Sequence, residues 1–216
     1  NAIRSIHFAD RTTGIAVGDS GYIIKSTNGG RSWRSIHDLT VNNLFAVKFI
    51  NSSLVLACGV GGTIVRSTDA GETWNLVGPI SDADLRSISS ADDSHVWVCG
   101  VLPPFSASES IYSSEDGGMN WTPSTTGVGQ KMSGIAFTDN LHGWSVGTGG
   151  CIIRSNDGAL TWTTQPRGNI NVGVIGGAGL DGRKNFLFLG LPLHLLDGSS
   201  TVVPFLQHVL HDEFGE

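Results

Sequence analysis

The chain has 216 residues, a formal net charge of −6, 39% hydrophobic and only 15% charged residues, and 30 glycines. Such a composition belongs to a turn-dense folded chain and excludes a disordered one, and the acidic balance argues against nonspecific nucleic-acid binding, which needs a basic face. The longest apolar run, FLFLGLPLHLL, is broken by Pro and His and is too short to span a bilayer, so no membrane insertion is expected.

At the amino end, Asn1 runs directly into an alternating apolar segment without Met or a charged-then-apolar leader, which predicts a processed or truncated terminus. Residues 2–8, Gly14–Gly18, 21–26 and 32–36 are short, β-branched or alternating, and separated by Gly, Asn, Asp and Thr. That pattern predicts four strands. The octapeptide STNGGRSW lies at the end of this unit, with Trp33 seven residues after Ser26. It then recurs as STDAGETW (Ser67 to Trp74), SEDGGMNW (Ser114 to Trp121) and SNDGALTW (Ser155 to Trp162), so the Trp steps are 41, 47 and 41 residues. A period near 40 to 45 residues is that of one four-stranded propeller blade.

The register extends beyond the octapeptide. The units open alike, at Ile3–Phe8, Leu44–Phe49, 85–90 and Met132–Phe137. Gly18, Gly59 and Gly147 stand eight residues before their Ser, and Gly100 takes that place once a six-residue excess within the loop VLPPFSASES is removed. After Trp162 the match decays: FLFLG ending at Gly190 stands for the second strand, Leu195-Leu196 for an apolar pair and Phe205 for the Trp, while Gly198, Ser200 and Val202 replace the Ser, Asp and Gly. A short helix opening at Pro204 is the rival reading of this end. No other stretch shows sustained helical periodicity. The fold class is therefore all-β: a β-propeller of four-stranded antiparallel blades, with four clear repeats and one degenerate. The expected blades are 1–41, 42–82, 83–129, 130–170 and 171–216, a ring of five or part of a larger propeller.

The octapeptide resembles the Asp box, also called the BNR repeat. Its residue types suit a hairpin lock, in which Ser and Asp accept backbone N–H groups, Gly supplies a positive φ and Trp packs back on the blade. The expected lock residues are Ser26, Asn28, Gly30 and Trp33; Ser67, Asp69, Gly71 and Trp74; Ser114, Asp116, Gly118 and Trp121; and Ser155, Asp157 and Trp162. Asn28 keeps an acceptor where the others have Asp, and Ala159 in place of Gly predicts a slightly different turn. The remaining two Trp, Trp97 and Trp144, hold equivalent positions and read as blade packing.

Little else suggests chemistry. Three cysteines make no disulfide framework and have no C-x-x-C spacing, so Cys58 and Cys99 are expected as buried thiols. The loop carboxylates Asp38, Asp82, Asp84, Asp92 and Asp93 could converge as a catalytic pair; His194, His208 and His211 form the one metal-like cluster, read as a solvated tail. GVGG and GTGG are the repeated turn and not a phosphate loop. No cofactor and no metal are expected. One pattern rises above scaffold: Lys25, Arg66 and Arg154 immediately precede the box Ser in three units, while Ser113 and Asp197 take that place in the others. Equivalent positions superpose around a propeller, so these cations form a ring on one face, unless each pairs with its own box Asp. Arg4 and Arg86 are a second equivalent pair in the first strand.

The full unit, ΦxSIxFxDxxTGxAVGDxGxIxxSTNGGxSW with Φ apolar, resembles the repeat of the photosystem II assembly and stability factor family and its bacterial relatives outside photosynthesis. The resemblance covers residues 1 to about 165. It implies a non-enzymatic scaffold, exported to a periplasm, thylakoid lumen or extracellular space, that docks on a membrane protein complex or one of its subunits through an Arg patch. Lys25, Arg66, Arg154, Arg4 and Arg86 are then the expected partner-binding residues. The alternative is a carbohydrate-active or carbohydrate-binding propeller like the sialidases and xyloglucanases that share the box. Sialidase chemistry is disfavoured, because Tyr occurs only at positions 22 and 112 and no Arg-Ile-Pro segment opens the chain.

Overall fold

A computed structural model describes residues 2–36, 39–104 and 110–166, together with the strands Ala178–Leu180 and Phe186–Phe188. The first sheet holds β1 (Ile3–Phe8), β2 (Gly14–Gly18), β3 (Ile23–Ser26) and β4 (Arg34–Ile36), paired antiparallel in chain order. The second holds β5 (Leu44–Phe49), β6 (Val55–Gly59), β7 (Thr63–Ser67) and β8 (Asn75–Pro79). The third holds β9 (Asp84–Ser90), β10 (Val96–Val101), β11 (Ile111–Ser114) and β12 (Thr122–Ser124), and the fourth β13 (Met132–Phe137), β14 (Gly143–Gly147), β15 (Cys151–Ser155) and β16 (Thr163–Thr164). All-β architecture with four-stranded propeller blades is thus the fold.

Each blade's second strand (β2, β6, β10, β14) is nearly all small or apolar, as a strand covered on both faces must be. The first strands lie side by side, β1 on β5, β5 on β9 and β9 on β13. Between neighbouring blades the facing side chains merge into one core. Ile15 and Val17 meet Leu44, Val47, Phe49 and Trp74 at the first junction. Leu56 and Ile64 meet Leu85, Val96 and Val98 at the second, and Trp97 and Ile111 meet Met132, Ile135 and Phe137 at the third. Each fully buried large side chain contributes about 1.5–3 kcal/mol, so the junctions hold the blades together.

Glycine recurs before each tight turn because the chain entering the blade passes very close. A Cβ at Gly18 would lie 2.0 Å from the Ala2 carbonyl oxygen, and one at Gly59 2.0 Å from that of Asn43. Every first strand also carries a bulge at its second or third residue, leaving Arg4, Phe45, Arg86 and Ser133 out of the ladder. A bulge re-aims the side chain it displaces.

Beyond the fourth blade, β17 (Ala178–Leu180) and β18 (Phe186–Phe188) pair antiparallel, and β17 lies against β13. They occupy the place of the first two strands of a further unit. The helix expected at Pro204, the apolar pair Leu195-Leu196 and the His194, His208 and His211 cluster lie outside the described residues, as does Asp38.

Candidate functional site

The four boxes are built alike. Ser26 Oγ accepts the N–H groups of Gly30 at 2.9 Å and Asn28 at 3.3 Å, and Asn28 Oδ1 accepts the Ser32 N–H at 2.9 Å. In the second blade Ser67 Oγ accepts from Gly71 at 2.8 Å, and Asp69 accepts the Thr73 N–H at 2.8 Å. In the third, Ser114 Oγ accepts from Gly118 at 2.9 Å, while Asp116 accepts the N–H groups of Met119 and Asn120, both at 2.9 Å. Gly30, Gly71 and Gly118 take φ of +81°, +84° and +85°, a region open to glycine. The indole N–H groups of Trp33, Trp74 and Trp121 donate back to the carbonyls of Gly30, Gly71 and Gly118 at 3.1, 3.2 and 3.1 Å.

The fourth box corrects one expectation. Ala159 adopts φ +78° and its N–H reaches Ser155 Oγ at 2.9 Å, so the turn is the same one, held with a side chain in glycine's conformation. Asp157 accepts the Thr161 N–H at 2.9 Å as its equivalents do. What changes is the tryptophan's partner: Ser124 Oγ takes the Ala159 carbonyl, and Trp162 Nε1 donates to Ser124 Oγ at 2.8 Å instead.

Burial alone would raise the box carboxyls. Hydrogen bonds from Thr73 and Ser67 outweigh it and hold Asp69 at about 2; Asn120, Ser114 and Met119 do the same for Asp116, also at about 2. Each carboxylate is committed to its own turn on its own blade.

Two of the cations before the box Ser, Lys25 and Arg66, reach across the junction to the next blade's box, not to their own. Lys25 is 4% exposed, and its Nζ lies 2.7 Å from Oε1 of Glu72, whose carboxylate also pairs with Arg34. Those two donors lower the Glu72 pKa. Arg66 Nε donates to the Gly117 carbonyl at 2.9 Å. In the third blade Ser113 lacks a cation, but Trp97 stands directly opposite it across the strand pair, and its Nε1 donates to the Gly158 carbonyl at 3.1 Å. Gly158 holds the same box position as Gly117. Trp97 therefore performs from β10 the clasp that Arg66 performs from β7, a role legible only once the strand register is known. Arg154 lies with its guanidinium 5.2 Å from the ring centroid of its cross-strand neighbour Trp144. Lys25 is thereby buried against the next blade's box, and Arg66 is half-buried against the one after it.

Arg4 and Arg86 are placed otherwise. As bulge residues of β1 and β9, they flank the Phe45 ring from β5, with guanidinium carbons 5.6 and 4.0 Å from its centroid. Arg4 Nε pairs with Asp19 at 2.6 Å and Arg86 Nη2 with Asp84 at 3.2 Å, yet their side chains remain 43% and 39% exposed. The Arg4 hydrogen bond lowers the Asp19 pKa. Phe45 escaped the sequence reading because its equivalents are Arg4, Arg86 and Ser133, so no repeat pattern marks it.

Two of the loop carboxylates serve local contacts. Asp92 accepts the N–H groups of Ser94 and His95 at 2.8 and 2.7 Å, and Asp84 accepts the Gly61 N–H at 3.2 Å besides meeting Arg86. Cys58, Cys99 and Cys151 are buried thiols outside any disulfide; burial pushes the Cys99 thiol up to about 12 and the Cys58 thiol higher still. Among the described residues no three His, Cys, Asp or Glu side chains gather to hold a metal ion.

No family model matches the chain, and no curated protein does. Solved structures share its fold. An ancestral GH74 enzyme is 20% identical over 74% of this chain and 23% of its own, with a TM-score of 0.61. The GH74 enzyme of Niastella koreensis is 19% identical over 72% of this chain and 28% of its own, with a TM-score of 0.60. YCF48 bound to a D1 peptide is 15% identical over 80% of this chain and 85% of its own, with a TM-score of 0.46. The chain spans less than a third of either GH74 enzyme, and the likeness at these identities is one of fold, the β-propeller.

Proposed function

We propose that this chain is a non-enzymatic propeller that docks a protein partner, in the manner of an exported assembly factor or extrinsic subunit of a membrane complex. One observation carries the reading: two exposed arginines from the first and third blades share one phenylalanine ring from the second, in a protein of net charge −6. Arginine and aromatic side chains concentrate binding energy at protein interfaces, and a guanidinium meets a carboxylate through two parallel hydrogen bonds. Asp19 and Asp84 hold the guanidinium groups beside the ring, which limits the entropy lost when an acidic surface arrives. Lys25 and Arg66 serve the blade junctions, so the docking surface rests on Arg4, Phe45 and Arg86.

A carbohydrate-active reading requires two carboxylates facing across a groove. The box carboxylates are each spent on a separate turn, which disfavours it. The deciding experiment compares the native chain with Arg4→Glu/Arg86→Glu and with Phe45→Ala in pull-downs from solubilised membranes of the source cell, at 50 and 500 mM salt. The native chain is expected to retain a partner that the double variant loses and that high salt weakens. Identical capture by folded native and variant chains, or turnover of β-glucan by the purified protein, would overturn the reading.

A further inference from the structure

The blade junctions differ along their inner edge in a way that the docking surface does not use. At the first, the Val47 N–H donates to Ser5 Oγ at 3.2 Å and the Phe49 N–H to His7 Nδ1 at 3.3 Å. At the third, the Ile135 N–H donates to Ser87 Oγ at 3.4 Å and the Phe137 N–H to Ser89 Oγ at 2.9 Å. These amides point away from their own sheet, because alternate residues of an edge strand direct their N–H groups outward.

The same register holds in the third blade. Ile88 pairs with Val98 and Ser90 with Val96, just as Val47 pairs with Ala57 and Phe49 with Val55. The outward amides at the second junction are therefore those of Ile88 and Ser90. The residues in the places of Ser5 and His7 are Ala46 and Lys48, and neither side chain accepts a hydrogen bond. Lys48 forms no salt bridge among the described residues. Burial lowers its pKa; burial, and after it the Lys48 charge, also lower that of His7, whose Nδ1 accepts the Phe49 N–H as a neutral ring does.

From this juxtaposition we propose that the junction between β5 and β9 is a carboxylate-binding notch, with Lys48 Nζ holding one oxygen and the Ser90 N–H and hydroxyl the other. One ammonium matches one negative charge, and a half-buried site bordered by Ile88 favours a small, flat anion over a hydrated dianion. Bound there, the anion supplies the acceptor that serine and histidine supply at the other two junctions. Lys48 lies three residues along β5 from Phe45, about 10 Å at strand rise, so the notch is separate from the arginine pair.

The test is an amide-resolved NMR titration of the full chain with sodium acetate, against sodium chloride at matched ionic strength. The Ser90 amide is expected to shift and saturate with acetate and not with chloride. Lys48→Met should weaken that response at least tenfold, whereas Lys48→Arg should retain it. Ala46→Ser/Lys48→Ser, which copies Ser87 and Ser89, should abolish it while raising the melting temperature. An unmoved Ser90 amide, an equal response in folded Lys48→Met, or an equal response to chloride overturns the site. Tighter saturation by inorganic phosphate than by acetate overturns the carboxylate assignment.

Discussion

A box carboxylate does its work within a few residues of its own Cα. Asp116 accepts two backbone N–H groups and one Asn120 side-chain N–H, and Ser114 donates to it at 2.8 Å. Asp116→Ala removes all of these acceptors from one turn and is expected to cost about 0.5–2 kcal/mol, the range for losing a capping acceptor. Asp116→Asn keeps an acceptor, as Asn28 does naturally, and should cost less than half as much in urea denaturation. The acid response follows from the same bonds. Asp69 and Asp116 are held at about 2 in the folded chain, against roughly 3.9 for an unfolded aspartate. A lowered folded pKa means their contribution is complete above the unfolded value and lost as pH falls from near 4 toward 2. The melting temperature should therefore drop across that window, and Asp69→Asn/Asp116→Asn should flatten the drop.

Between blades the unit of stability is a clasp: a donor on the second or third strand of one blade entering the box of the next. Trp97→Phe tests it, because a phenyl ring can keep a stack on Phe137, whose centroid lies 3.7 Å away, while the N–H to Gly158 is lost together with part of a fully buried ring. Leaving that carbonyl unpaired is expected to cost about 1–3 kcal/mol. Adding Ser113→Arg should recover part of the loss, since Arg66 reaches the equivalent carbonyl from the equivalent place. Recovery would be read from denaturation midpoints of the single and double variants. The clasp also explains what was legible in the sequence. Strand positions, the box turn and the Gly register follow from local spacing, because turn chemistry acts within eight residues. The targets of Lys25, Arg66 and Trp97 lie 47, 51 and 61 residues away and depend on how blades meet, which no local pattern encodes. For the same reason the basic repeat could be seen but not assigned, and Phe45 could not be singled out.

At the scale of the whole molecule, stacked repeats derive their stability from nearest neighbours, so equal residues have unequal worth according to what lies beside their blade. The first strands show this directly. Ile6, Val47 and Ile135 hold the same position in β1, β5 and β13, yet Ile6 is 53% exposed while Val47 and Ile135 are 5% and 1% exposed. Ile3 and Phe8 share the open setting of Ile6, at 46% and 37%, where Met132 and Phe137 are at 0% and 1%. Ile135→Ala opens a cavity at the third junction and is expected to cost about 2–5 kcal/mol. Ile6→Ala removes a side chain that no blade covers among the described residues, and is expected to stay within about 0.5 kcal/mol of the native chain. Urea denaturation of the two variants side by side measures the difference. Comparable losses would show that the leading face of the first blade is covered in solution, and with it that the stack continues past β1.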